Sequence, residues 1–142
     1  MPAPTLFRRA LTMLCMSLLA LGLAACGTAV STSSFKGEEH EAAQAVANLQ
    51  ADATASEQSK VCDRDLAAGV VSRLGGSKGC QQAIKTQLTE IDNLELSVRS
   101  VRVNAPAGTA TAIVKSTVSG KKVENTVSLV KEGGKWKVAG LG

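Results

Sequence analysis

Near Leu94 the apolar rhythm of this chain changes period, and that change restricts the fold more than any other feature. Before it, apolar residues recur every three or four positions. After it, they alternate with polar ones. The first spacing lines one face of a helix, and the second lines one face of a strand. The chain therefore calls for a helical layer followed by a sheet. The natural closure is an α+β architecture with N-terminal helices packed on one face of a curved antiparallel four-stranded sheet.

The helical half divides into three segments. Residues 38–55 form the first, with Ala42, Val46, Leu49 and Ala53 as its apolar stripe, Ala43 and Ala45 flanking it, and Gln50 as a polar edge. Glu38, Glu39 and Glu41 crowd its first turn, where the helix dipole favours negative charge. Residues 56–59 read as a break. Val61, Cys62, Leu66, Val70 and Leu74 then predict one continuous helix over 59–74, with Lys60, Arg64 and Arg73 turned away. Gly75 and Gly76 stop it, because glycine tolerates the left-handed conformation at a helix end. Ser77 is placed to cap a third helix that carries Cys80, Ile84, Leu88 and Ile91, with Glu90 and Asp92 at its end.

The sheet half reads as a meander. Leu94, Leu96 and Val98 alternate with polar residues, and Val101 and Val103 continue in the opposite phase. A phase slip within one strand predicts a bulge or a bend. Pro106 and Gly108 mark a turn. Residues 109–119 alternate again, with Ala110, Ala112, Val114 and Val118 on one side. A tight turn is expected at Ser119 and Gly120. Val123, Asn125, Val127 and Leu129 share one face of the third strand. Gly133 and Gly134 turn the chain into a short last strand over 135–139, with Trp136 and Val138 facing the same way.

The start of the chain has a different character. Arg8 and Arg9 precede an apolar stretch from Ala10 to Leu21, and small residues lead into Leu23, Ala24, Ala25 and Cys26. Positive charge, a short apolar run and small residues in that order form an export signal. Leu-Ala-Ala-Cys resembles the lipobox of bacterial lipoproteins. The resemblance implies that residues 1–25 are removed and that Cys26 is acylated, with fatty chains such as palmitate anchoring the protein in the cell membrane on its extracytoplasmic face. An ordinary signal cut near Ala25, or a short retained anchor, are the alternatives. A single chain binds a membrane marginally, at ~0.8 kcal/mol per buried methylene, whereas two or more hold firmly.

Processing would leave residues 26–142, enough for one domain. Residues 26–37, rich in Gly, Ser and Thr, read as a flexible tether, and residues 38–142 as the domain. Fourteen basic and twelve acidic side chains remain, with no basic block and only Phe35 and Trp136 as aromatics. That composition argues against nucleic-acid binding. Cys15 leaves with the signal, so Cys62 and Cys80 form a single pair in an oxidising space and read as a disulfide. Free thiols or half of a metal site are the alternatives, though no histidine or second cysteine pair completes a zinc site.

The order of three helices and four strands, the paired cysteines in the helical part, and the close from Val127 to Val138 with its Glu132-Gly133-Gly134 turn and Trp136 are similar to small envelope lipoproteins with an NTF2-like or cystatin-like fold, of the kind common in actinobacteria. The fold family holds isomerases and dehydratases as well as non-catalytic members. In the enzymes, acidic, histidine or tyrosine side chains enter a cavity between helices and sheet.

Little in the residues points to catalysis. His40 is the single histidine and falls in the acidic first turn of a helix, where solvent is expected around it. There is no tyrosine. Asp63 and Asp65 are two apart and do not share a helix face. The glycines at 75, 76 and 79 lack the strand-loop-helix setting of a phosphate loop and read as a helix–helix turn. Asn125 falls on an apolar face and, with Trp136, is a candidate pocket residue. Lys121, Lys122, Lys131, Lys135 and Lys137 suggest one basic end. The expectation is a non-enzymatic, lipid-anchored domain without cofactor or metal that binds an envelope protein or a small apolar molecule. An isomerase- or dehydratase-like enzyme, or a structural ectodomain without a pocket, are the rivals.

Overall fold

The structure, a computed structural model, describes residues 30–90, 95–118 and 120–142. Cys26, the lipobox and the side chains of Ile91, Asp92, Leu94, Val118 and Ser119 lie outside what is described. Helix α1 spans Gly37–Thr54, and α2 is a single turn, Gln58–Lys60. A π turn, Val61–Asp65, follows directly, then α3 (Ala68–Arg73) and α4 (Gly76–Glu90). Strands β1 (Glu95–Asn104), β2 (Thr109–Val118), β3 (Lys121–Glu132) and β4 (Lys135–Leu141) form one antiparallel sheet in sequence order. Helices pack on the sheet as the period change requires. The sheet is open, neither closed nor strongly curled. Among the described residues no helix is long and apolar enough to cross a membrane.

Helix α1 buries Ala42, Ala43, Ala45, Val46, Gln50 and Ala53. Its short side chains let its backbone approach β1 and β4 closely. Gln50 is buried and useful: its Oε1 accepts the Leu96 backbone N–H at 2.9 Å, which satisfies a donor on the outer edge of the sheet. Residues 32–36 lie against the start of α1. Phe35 packs on the core, and Thr32 Oγ1 donates to Gln44 Oε1 at 3.2 Å.

The expected helix over 59–74 is not continuous. At Asp65 the chain leaves helical geometry, and Leu66 is extended (φ −90°, ψ 143°). Leu66 forms a parallel bridge to Val138, and the Ala67 N–H donates to the Val138 carbonyl at 2.8 Å. The break has a tertiary cause. The exposed edge of β4 offers backbone groups that need partners, and no glycine or proline marks the place in sequence. The π turn is closed by the Leu66 N–H reaching Val61 O at 3.0 Å. Helix α3 ends as read, with Gly75 and Gly76 at φ +91° and +81°. Helix α4 starts at Gly76, so Ser77 does not cap it. Its Oγ donates to Asp63 Oδ1 at 3.2 Å instead.

In the sheet the phase slip appears where the apolar pattern reverses. Val98 pairs Val114 and Ser100 pairs Ile113, leaving Arg99 as the extra residue. A second bulge went unread: Ser128 pairs Gly140 and Leu129 pairs Val138, so Ala139 is extra and β4 runs on to Leu141. Gly142 and Thr126 then exchange two backbone bonds at 2.7 and 2.9 Å. Val127 and Leu129 are buried, but Val123, on the same expected face, is 46% exposed. Val46, Val61, Val114, Val127, Leu129 and Cys80 fill the space between the helices and the inner face.

Candidate functional site

An open cleft of about 680 Å³ lies on the outside of the filled core. Three elements build its walls. Helix α1 contributes His40, Glu41, Gln44 and Asn48; the π turn contributes Asp63, Arg64 and Asp65; β4 and the turn before it contribute Gly134, Lys135, Trp136 and Lys137. A smaller hollow of about 390 Å³ lies on the other side of Lys137, lined by Cys62, Leu66, Ala68, Val71 and Gly76.

Asp65 is the unusual member of the cleft. It ends the π turn and is only 4% exposed. Burial, and then the Asp52 carboxylate of α1 beside it, push its carboxyl from 3.8 up to about 7, while Arg64 and Lys137 pull the other way. Arg64 Nη2 stands 3.7 Å from Asp52 Oδ2. The Oδ2 atoms of both aspartates are buried with no hydrogen-bond donor in reach among the described residues.

Several other charged residues of the cleft have partners of their own. Asp63 is exposed, on a different side from Asp65, as their spacing implies. His40 is half-buried rather than solvated, and its Nδ1 lies 3.0 Å from the Thr32 carbonyl. Lys137 Nζ donates to the Asp63 carbonyl at 3.3 Å. Lys131 pairs with Glu38, which holds its ammonium above the usual range, and reaches Glu41 at 4.0 Å. The same ammonium sits 5.5 Å from the centre of the Trp136 ring, within cation–π range.

The two candidate pocket residues do not meet. Trp136 is 6% exposed, lines the cleft, and has a buried Nε1 without an acceptor among the described residues. Asn125 pairs with Val114 further along the sheet, and its Nδ2 donates to Ser116 Oγ at 3.2 Å. It touches neither concavity. The five lysines do not form one basic end either. Lys121 and Lys122 begin β3, whereas Lys131, Lys135 and Lys137 cluster around its far end and the start of β4. Rows of side chains from Lys121 to Lys131 are separated by nearly the whole strand.

Cys62 and Cys80 form a disulfide with Cα atoms 6.0 Å apart, joining the π turn to α4. Among the described residues no three His, Cys, Asp or Glu come together as a metal site. The Asp52–Asp65 pair was missed in the sequence. Asp65 is the last of three consecutive charges, Asp63, Arg64 and Asp65, between Cys62 and Leu66, and nothing in the sequence marks it as the buried one. Comparison of the chain with protein-family models, with curated proteins and with solved structures gives no match.

Proposed function

We propose that this chain is an envelope lipoprotein, anchored through acylated Cys26 on the extracytoplasmic face of the cell membrane, whose domain is a non-enzymatic binding module of the NTF2-like or cystatin-like kind. The anchor rests on Leu23, Ala24, Ala25 and Cys26 after an apolar run. The fold reading is supported by helices on one face of a four-stranded antiparallel sheet, with a tryptophan in the last strand.

The observation that carries the binding reading is the character of the concavity. Ligand sites for small molecules are mostly apolar and enclosed. Here the space between helices and sheet is filled by Val46, Val61, Val127 and Leu129, and the cleft outside it is open, with charged and amide side chains set among apolar surface that includes Ala45 and Trp136. A polar segment of a protein partner suits such a trough better than a small apolar molecule. The test is crosslinking in intact envelopes, followed by co-purification with the anchored chain. A partner captured by the unsubstituted chain and lost with Lys135→Glu supports the cleft as the binding face. Identical crosslinks from both chains refute it.

A second reading, an enzyme of the isomerase or dehydratase type, is favoured by one observation: Asp65 is a carboxyl at the cleft whose proton is retained toward neutral pH. Such tuning suits general acid–base work. Proton exchange into carbonyl compounds in deuterated water, abolished by Asp65→Asn, would support it. No exchange above buffer rates across a carbonyl panel removes it.

A further inference from the structure

We infer that Thr32 moors the chain between Cys26 and α1 to the rim of the cleft, and that this mooring keeps the cleft end of the domain against the lipid headgroups of the membrane, with the β2–β3 hairpin held away. The inference rests on the lipid anchor proposed at Cys26. It adds to that anchor the surface of the domain that meets the bilayer.

Several contacts fasten the segment before α1. Thr32 Oγ1 donates to Gln44 Oε1 at 3.2 Å, and His40 Nδ1 lies 3.0 Å from the Thr32 carbonyl. The Phe35 N–H donates to the same carbonyl at 3.1 Å, and the Phe35 side chain packs on the core. That apolar contact makes the fastening more than a set of surface hydrogen bonds. His40 and Gln44 both line the cleft, and Gln44 Nε2 donates to Asn48 Oδ1 at 3.1 Å on the same wall. The chain that leads back to Cys26 therefore leaves the domain at the cleft.

Covalent reach turns that exit into an orientation. From residue 26 to residue 32 a fully extended chain spans about 20 Å. Strand β3 joins the two ends of the sheet: Lys131 pairs with Glu38 in the first turn of α1, and Lys121 begins the strand at the hairpin. From Lys121 to Lys131 the strand covers about 33 Å. The leash is shorter than the strand, so a domain moored at Thr32 cannot lift its cleft end far enough to stand on its hairpin. Without the mooring, residues 26–37 would reach about 37 Å, enough to invert it. The surface turned to the bilayer then holds exposed Lys36, the turn at 105–107, Gly133, Gly134 and Lys135. The Lys131 N–H donates to the Gly108 carbonyl at 2.8 Å, which sets the 105–107 turn beside the others. Lys36 and Lys135 can meet headgroup phosphates there. Glu39 is exposed at the same end, so the leash rather than net charge selects this face.

The test places the full acylated chain in nanodiscs of phosphatidylethanolamine and phosphatidylglycerol that carry nitroxide headgroups, and reads amide signal loss residue by residue. The expected result is a loss several-fold stronger at Lys36, 105–107 and 133–135 than at 120–124. An insertion of about ten Gly and Ser residues between Thr28 and Ala29 lengthens the leash to about 55 Å, leaves the fold untouched, and should level the difference. Phe35→Ser combined with His40→Ala and Gln44→Ala unfastens the segment and should reduce it. Uniform loss in the disc-bound, acylated chain, or loss greatest at the hairpin, overturns the inference and leaves the anchor standing. A difference that survives the insertion unchanged also overturns it, because the leash then does not set the orientation. A chain without acyl mass that elutes apart from the discs removes the anchor and the inference together.

Discussion

Asp65 and Gly79 show how single atoms set terms for this fold. Asp65 titrates near 3.8 when unfolded and near 7 when folded, so between those values the folded chain holds a proton that the unfolded chain has released. Its contribution to stability is therefore complete below about pH 3.8 and is lost as pH rises through about 7. Asp65→Asn, whose amide can donate to Asp52, should flatten that dependence and raise stability at pH 8 by about 1–2 kcal/mol. Denaturant titrations at pH 5 and pH 8 check this; equal losses at both values would contradict it. Gly79 is constrained by space rather than by dihedral angle. A Cβ there would run into the backbone carbonyl of Leu74, which cannot move like a flexible side chain. Gly79→Ala should cost about 1–3 kcal/mol by overpacking, and a thermal melt that matches the unsubstituted chain would refute the close approach.

At the scale of elements, the helical layer is held by groups that come from elsewhere in the chain. Helix α3 has no side-chain cap of its own. Glu132 at the end of β3 supplies one, accepting the Ala68 N–H at 3.1 and 3.3 Å through its two oxygens. A carboxylate at a helix N-terminus both fills an orphan donor and suits the dipole. Glu132→Ala should cost about 1 kcal/mol and speed hydrogen exchange in α3 while leaving β1 unchanged. The Cys62–Cys80 bond spans 18 positions and ties the π turn to α4. Opening it with the double substitution Cys62→Ala and Cys80→Ala should lower stability by ~3 kcal/mol in the chain-entropy account. Equal unfolding midpoints with and without the bond would show that the α3–α4 packing holds the corner unaided.

At the scale of the whole molecule, the core is filled and the cleft lies outside it. Changes in the core should unfold the domain, and under the proposed binding role changes at the exposed cleft rim, such as Lys135→Glu, should alter binding without unfolding it. The proposed anchor sits outside this arrangement, at Cys26. Cys26→Ser should move the protein from the membrane fraction to the soluble envelope fraction, and intact mass of the native membrane form should exceed that of residues 26–142 by attached acyl chains. Unchanged membrane retention after the substitution would remove the lipid-anchor reading.

The sequence by itself determined the order of helices and strands, the bulge near Arg99, the helix stop at Gly75 and Gly76, and the pairing of Cys62 with Cys80. Each is a local matter of period, dihedral preference or cysteine count. Only the tertiary structure decided the break at Leu66, the bulge at Ala139, the separation of the lysines, and the meeting of Asp52 with Asp65. These depend on which surfaces come to face one another. A helical pattern cannot show that the edge of β4 will claim two of its residues, and the charged run Asp63-Arg64-Asp65 cannot show which of its members is buried beside α1.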